Sequence, residues 1–173
     1  MIVVLMGYMG SGKSTIGKEL ATVLNYSFLD LDDYISDQEN ASISELFETK
    51  GEIYFRKKET EYLKELTNSS EDLVLALGGG TPCYGNNIDV LKEHSDVTLF
   101  YLKLSLPLLS ERLFKERKKR PLISHLNSEN ELLEFIGKHL FERVQYYSQA
   151  QHTITTDHKT LQDVLEEVLV NLI

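Results

Sequence analysis

Apolar residues in this chain fall into blocks of two lengths. Short, nearly unbroken apolar runs occur at Ile2–Met6 (IVVLM), Leu73–Leu77 (LVLAL) and Val97–Leu102 (VTLFYL). Runs of this length predict strands buried on both faces. Ser27-Phe28-Leu29 and Thr153-Ile154-Thr155 read as shorter strands. Between them lie longer segments with helical spacing. Over Thr15–Leu24, Ile16, Leu20, Val23 and Leu24 share one face. Further helices are expected over Ser44–Leu66, broken near Gly51, and over Ile88–Glu93, Leu106–Arg117, Glu129–Tyr147 and Leu161–Leu172. The alternation predicts an α/β fold, a three-layer sandwich in which a five-stranded parallel sheet carries helices on both faces. Such sheets bind ligands beyond the carboxyl ends of their strands. The polar and glycine clusters of this chain fall at those ends.

The first such cluster is Gly7-Tyr8-Met9-Gly10-Ser11-Gly12-Lys13-Ser14, which fits the phosphate-binding pattern G-x-x-x-x-G-K-[ST]. It lies between an expected strand and an expected helix, the context the motif requires. Glycines let backbone N–H groups turn inward around a phosphate, and the helix N-terminus adds the positive end of a dipole. Lys13 is placed to reach the β- and γ-phosphates, and the Ser14 hydroxyl to hold Mg²⁺.

Composition narrows the setting. A length of 173 residues with 42% hydrophobic and 26% charged content suits one globular domain. The net charge of −9 argues against general nucleic-acid affinity and requires a local basic pocket for any anionic substrate. Cys83 is the only cysteine, so no intrachain disulfide forms, and it packs as a small apolar group. No apolar stretch approaches a membrane span, and Met1 leads straight into the first strand without a basic leader. A cytoplasmic protein that engages neither membrane nor nucleic acid is expected. His94, His125, His139, His152 and His158 form no metal-ligand spacing.

Three later clusters add candidate chemistry. Asp30 and Asp32 follow the second strand; if the chain is still extended there, both side chains point one way. One carboxylate can then support Mg²⁺ through water while the other orients an acceptor hydroxyl. The competing reading is an acidic turn or a helix N-cap at Asp32 or Asp33. Gly78-Gly79-Gly80 follows the third strand, where a backbone without side chains can approach a ligand closely. Arg56, with Glu59 three residues on, and Arg143 are helical arginines. A guanidinium fork matches a carboxylate in a bidentate way, so two of them suggest a small carboxylate substrate, although spacing alone does not bring them together. Arg120 ends the basic run Lys118-Lys119-Arg120-Pro121 and suits a mobile lid closing on a transferring phosphoryl group.

Taken in order, these segments resemble the shikimate kinase family. The matching pieces are the loop from Gly7 to Gly17, Phe28 to Ile35, Phe55-Arg56 with Glu59, Gly78-Gly79-Gly80, Arg120-Pro121-Leu122, and Arg143 with Tyr147, which cover nearly the whole chain. The resemblance implies the P-loop, nucleoside-monophosphate-kinase-like fold as one domain over residues 1–173, with a substrate-binding helical segment at about 33–62 and a lid at about 112–126. It implies transfer of the ATP γ-phosphoryl group to the 3-hydroxyl of shikimate, with Mg²⁺. By the same resemblance Gly10, Ser11, Gly12, Lys13, Ser14 and Thr15 cradle the ATP phosphates, and Ser14 and Asp30 serve the metal. Asp32 activates the acceptor hydroxyl. Arg56 and Arg143 hold the acceptor carboxylate, and Glu59 orients Arg56. Gly78, Gly79 and Gly80 contact the substrate, Arg120 comes from the lid, and Arg112 and Lys159 lie near the adenine. A monomer is implied. Two other readings stay open: another small-molecule or nucleoside-monophosphate kinase on this fold, and a nucleotide-binding module that regulates a partner.

Overall fold

A computed structural model describes residues 1–173. Five strands, β1 (Ile2–Met6), β2 (Ser27–Asp30), β3 (Leu73–Ala76), β4 (Val97–Lys103) and β5 (His152–Thr155), form one parallel sheet in the order β2-β3-β1-β4-β5. Seven α-helices accompany them: α1 (Lys13–Leu24), α2 (Leu31–Glu39), α3 (Ile43–Thr67), α4 (Asn87–Glu93), α5 (Leu106–Glu116), α6 (Glu129–Tyr147) and α7 (Leu161–Val170). From β1 the chain travels outward to β2, whereas from β3 it crosses back over β1 to β4. The outgoing connections of β1 and β3 therefore part, and a crevice opens at their carboxyl ends. The phosphate loop and the triple glycine both emerge there.

The twofold periodicity of a strand divides the core. Ile2, Val4 and Met6, with Leu73, Leu75, Val97 and Leu99, face Leu31, Ile35, Leu46, Phe55 and Leu63 from α2 and α3. Val3 and Leu5, with Val74, Phe100, Leu102 and Ile154, face Ile16 and Leu20 of α1 and Val164, Leu165 and Val168 of α7. A third cluster joins α5 and α6 through Leu109, Leu113, Leu132 and Ile136, and Ile123 of the expected lid is buried in it. The lid segment is a 3-10 turn at Arg117–Lys119 followed by tight turns. No helix is long and apolar enough to cross a membrane.

One element differs from expectation and one expected break is found. The chain does not stay extended through Asp30–Asp33: α2 begins at Leu31, and Asp30 is its N-cap, its carboxylate accepting the Asp32 N–H at 3.0 Å. Asp32 and Asp33 sit in the first turn, where the helix dipole favours them. In the long helix α3, Ser42 and Glu45 form a capping box, and the expected break is a kink at Gly51 with φ 83° and ψ 171°. This backbone conformation is nearly closed to residues with a Cβ. The kink separates the Leu46 turn from the stretch that carries Arg56 and Glu59. A Cβ at Gly51 would meet nothing within 4 Å, so the cost of adding one is confined to the backbone. We expect Gly51→Ala to lower the unfolding free energy by about 1–3 kcal/mol in urea denaturation. An unchanged midpoint would contradict the strained kink.

Candidate active site

The loop between β1 and α1 is built by Gly12, which adopts φ 93° at the helix N-cap and lets α1 start at Lys13. Lys13 Nζ donates to the carbonyl oxygens of Gly7 at 2.9 Å and Tyr8 at 3.0 Å. Burial lowers its pKa to about 8, against the pull of Asp30 and Asp32. Ser14 Oγ donates to Asp30 Oδ2 at 2.6 Å. One carboxylate thus caps α2 and fixes the first turn of α1. Lys13, Ser14, Thr15, Asp30, Asp32, Gly78 and Gly79 line an open cavity of about 400 Å³, and Met9, Arg112, Glu116 and Arg120 complete its lining.

Asp32 faces this cavity from the first turn of α2. Burial raises its pKa to about 6, and the nearby carboxylates Asp30 and Glu59 push the same way, while Lys13 and Arg56 oppose them. The carboxylate is ionised at neutral pH and is more basic than an exposed aspartate.

The triple glycine is where the remaining groups meet. A Cβ at Gly78 would lie 2.9 Å from Asp32 Oδ1, one at Gly79 3.2 Å from Arg143 Nη1, and one at Gly80 2.9 Å from Arg56 Nη2 and 3.3 Å from Arg143 Nη2. The two arginines that spacing could not bring together therefore converge on Gly80. Arg56 donates to Glu59 Oε1 at 2.8 Å and stacks 3.7 Å over the Tyr84 ring. Glu59 is buried, with 1% of its surface exposed. Arg143 lies over the Tyr8 ring at 5.9 Å, and Tyr147 on the same helix donates to the Gly79 carbonyl at 2.5 Å.

Arg120 follows the 3-10 turn and donates to Glu116 through Nε at 3.2 Å and Nη2 at 2.9 Å. Arg112 donates to the Gly10 carbonyl at 2.8 Å. A second cavity of about 200 Å³ adjoins the first through Gly12, Thr15 and Arg112, and Ser11, Thr156 and Lys159 line it. Lys159 is paired there with Glu167. The two expected adenine contacts therefore share one cavity, while Ser11 is buried with its hydroxyl turned inward.

Three contacts lay outside the sequence reading. Glu116 ends α5 and pairs with Arg120 across the 3-10 turn, an opposite-charge spacing of four that is visible in the sequence. Tyr8 hydrogen-bonds His139 at 2.8 Å across two distant segments, with no local signal. Thr81 donates to Glu59 Oε2 at 2.7 Å.

Comparison with known proteins gives a consistent picture. A family model described as shikimate kinase matches residues 9–172. The chain is 48% identical over 167 residues to the shikimate kinase of Flavobacterium johnsoniae, covering 96% of each chain. It superposes on the crystal structure of shikimate kinase from Bacteroides thetaiotaomicron with a TM-score of 0.90 at 31% identity, over 99% of this chain and 98% of the other. Against shikimate kinase from Acinetobacter baumannii in complex with shikimate, the TM-score is 0.84 at 34% identity, over 99% and 92%.

The raised pKa of Asp32 has a sign that can be checked. An acid that titrates higher in the folded chain costs stability once pH exceeds its ordinary value near 3.8, and the cost is complete above about 6. Asp32→Asn is therefore expected to melt a few degrees above wild type at neutral pH, with the gap closing as pH falls from about 6 towards 4. Scanning calorimetry across that range checks it, and a variant that melts lower at neutral pH contradicts the burial account.

Proposed function

The chain belongs to the shikimate kinase family, and we infer from its site that it transfers the γ-phosphoryl group of ATP to the 3-hydroxyl of shikimate, in the synthesis of aromatic amino acids. The observation that carries this reading is the meeting of Arg56 and Arg143 over Gly80, beside Asp32 and one cavity away from Lys13. Two guanidinium forks over a bare backbone suit a planar carboxylate. Asp32, at the edge of the same glycine turn, then faces a ring hydroxyl on the side of the phosphate loop.

Phosphoryl transfer asks the protein mainly for positioning and for charge aimed at the transferring group. In our reading Gly10 to Thr15 hold the phosphates with backbone N–H groups and the α1 N-terminus. Two Lys13 donors rest on loop carbonyls, and the third serves the β- and γ-phosphates. Asp32 accepts the hydrogen bond of the attacking hydroxyl and takes its proton as the new P–O bond forms and the bond from the γ-phosphorus to the bridging oxygen breaks, releasing ADP, a role its pKa of about 6 suits at neutral pH. Arg120 leaves Glu116 to neutralise the transferred group, and the lid at 112–126 excludes water so that the sugar-like acid, and not solvent, is phosphorylated. Arg112 and Lys159 border the base.

A kinase that uses ATP implies a divalent metal, and the residues fit Mg²⁺. Ser14 Oγ and Asp30 Oδ2, 2.6 Å apart on the cavity wall, are hard oxygen donors. Few protein ligands are what an ion bound largely by phosphate and water requires. When bound, Mg²⁺ supplies charge neutralisation on the phosphate oxygens. Ser14 is its direct ligand in this reading, and Asp30 orients a ligating water. We read the protein as a cytoplasmic monomer.

The test is coupled ADP release with MgATP, offering shikimate, quinate, gluconate and nucleoside monophosphates in turn, with Lys13→Met as the inactive control. Release with shikimate alone is expected. Release driven by a nucleoside monophosphate or gluconate would overturn the acceptor assignment.

A further inference from the structure

Glu59 has two carboxylate oxygens and almost no access to water, so each oxygen needs a partner within the protein. Arg56 Nη1 serves Oε1 at 2.8 Å. Oε2 is served by the hydroxyl of Thr81, at 2.7 Å. Thr81 is fully buried and directly follows the triple glycine. Its own carbonyl accepts from Asn87 Nδ2 at 2.9 Å, and Asn87 Oδ1 accepts from Thr60 Oγ1 at 2.8 Å. Asn87 is also buried, at 1% exposed. Thr60 is the neighbour of Glu59 on α3, so these hydrogen bonds close a ring that runs from α3 to the glycine turn, to α4 and back.

This ring ties the helix that carries Arg56 to the turn over which Arg56 lies. Arg56 is one turn before Glu59, and its guanidinium reaches Gly80, the residue next to Thr81. We infer that Thr81 is a positioning residue for the acceptor site: with its backbone carbonyl held by Asn87, itself tied to Thr60, its hydroxyl orients Glu59 so that Arg56 is presented to the acceptor carboxylate at Gly80. The inference rests on the acceptor role proposed for Arg56. Without the hydroxyl, Glu59 keeps a buried oxygen with no donor, and its carboxylate rotates or admits water. Arg56 then loses the fixed partner that aims it. Lys13, Ser14 and Arg120 form no part of the ring, so the loss should fall on acceptor binding and leave the phosphate side alone.

The experiment compares Thr81→Val, which removes the hydroxyl at constant shape, with Thr81→Ser, which keeps it. Thr81→Ala removes the hydroxyl together with the γ-methyl and adds no new group, so a folding defect peculiar to valine does not decide the outcome. Each variant is measured for the KM of shikimate, the KM of ATP and kcat, and for shikimate binding by calorimetry. Removing a hydrogen bond to a buried charge is expected to raise the shikimate KM and Kd about tenfold or more in the valine and alanine variants, with the ATP KM and kcat held within about twofold. The serine variant is expected to match wild type. An unchanged shikimate KM in both deletions, or an equal change in both substrates and kcat, overturns the positioning role. Wild-type turnover separates the two readings. If wild type phosphorylates shikimate and the deletions bind it normally, the ring's role fails alone. If wild type ignores shikimate, the acceptor assignment fails and the ring's role falls with it.

Discussion

A side chain at Gly78 or Gly80 would press into a charged group of the candidate site, and one at Gly79 would crowd another. The space a Cβ would take at residue 78 belongs to Asp32, at 79 to Arg143, and at 80 to Arg56 and Arg143 together. Three helices reach this point: α2 brings Asp32 in its first turn, α3 brings Arg56 from beyond its kink, and α6 brings Arg143 with Tyr147. Tyr147 adds the one donor that pins the Gly79 carbonyl. In the proposed reading, the bare exit of β3 is the surface on which the acceptor half of the site is assembled. The phosphate loop, at the exit of the neighbouring strand β1, faces it across one cavity.

Charge is arranged against the trend of the chain. The whole molecule carries −9, yet Lys13, Arg112 and Arg120 line the main cavity, and Arg56 and Arg143 meet at its glycine edge. Asp30, Asp32, Glu59 and Glu116 are interleaved with them. Burial in this setting pushes Asp32 up and Lys13 down, so both charged forms are held at a cost. Such a cost is ordinary where function requires a charge in a poorly solvated place, and the rest of the fold must cover it. The two buried core faces on either side of the sheet do so without contributing to the chemistry.

The sheet was legible in the sequence because its central strands are buried on both faces and read as continuous apolar runs. Helix α2 was not legible from its pattern and was covered only by the helical segment at about 33–62 that the resemblance implied, since only Leu31 and Ile35 of LDDYISDQE are buried and two apolar positions make no visible period. The reading that kept the chain extended past Asp30 put the alternative cap too late, at Asp32 or Asp33, where the cap is Asp30. The phosphate loop could be read directly because its residues are contiguous and its chemistry is local. The convergence of Arg56 and Arg143 could not, because it depends on α3 and α6 meeting at Gly80; only the family resemblance suggested it. Thr81 had no signal at all. A threonine after three glycines looks like part of a turn until the burial of Glu59 gives its hydroxyl a partner.

The central claim is that two guanidinium groups over a bare backbone read a carboxylate. Isothermal titration of wild-type protein with shikimate and with its methyl ester, which keeps the ring and hydroxyls but removes the negative charge, tests it most directly. Loss of charge-assisted bidentate contacts predicts that the ester binds about a hundredfold more weakly. Equal affinity for acid and ester would mean that Arg56 and Arg143 do not hold the acceptor by its carboxylate, and the account of the acceptor site would fail with them.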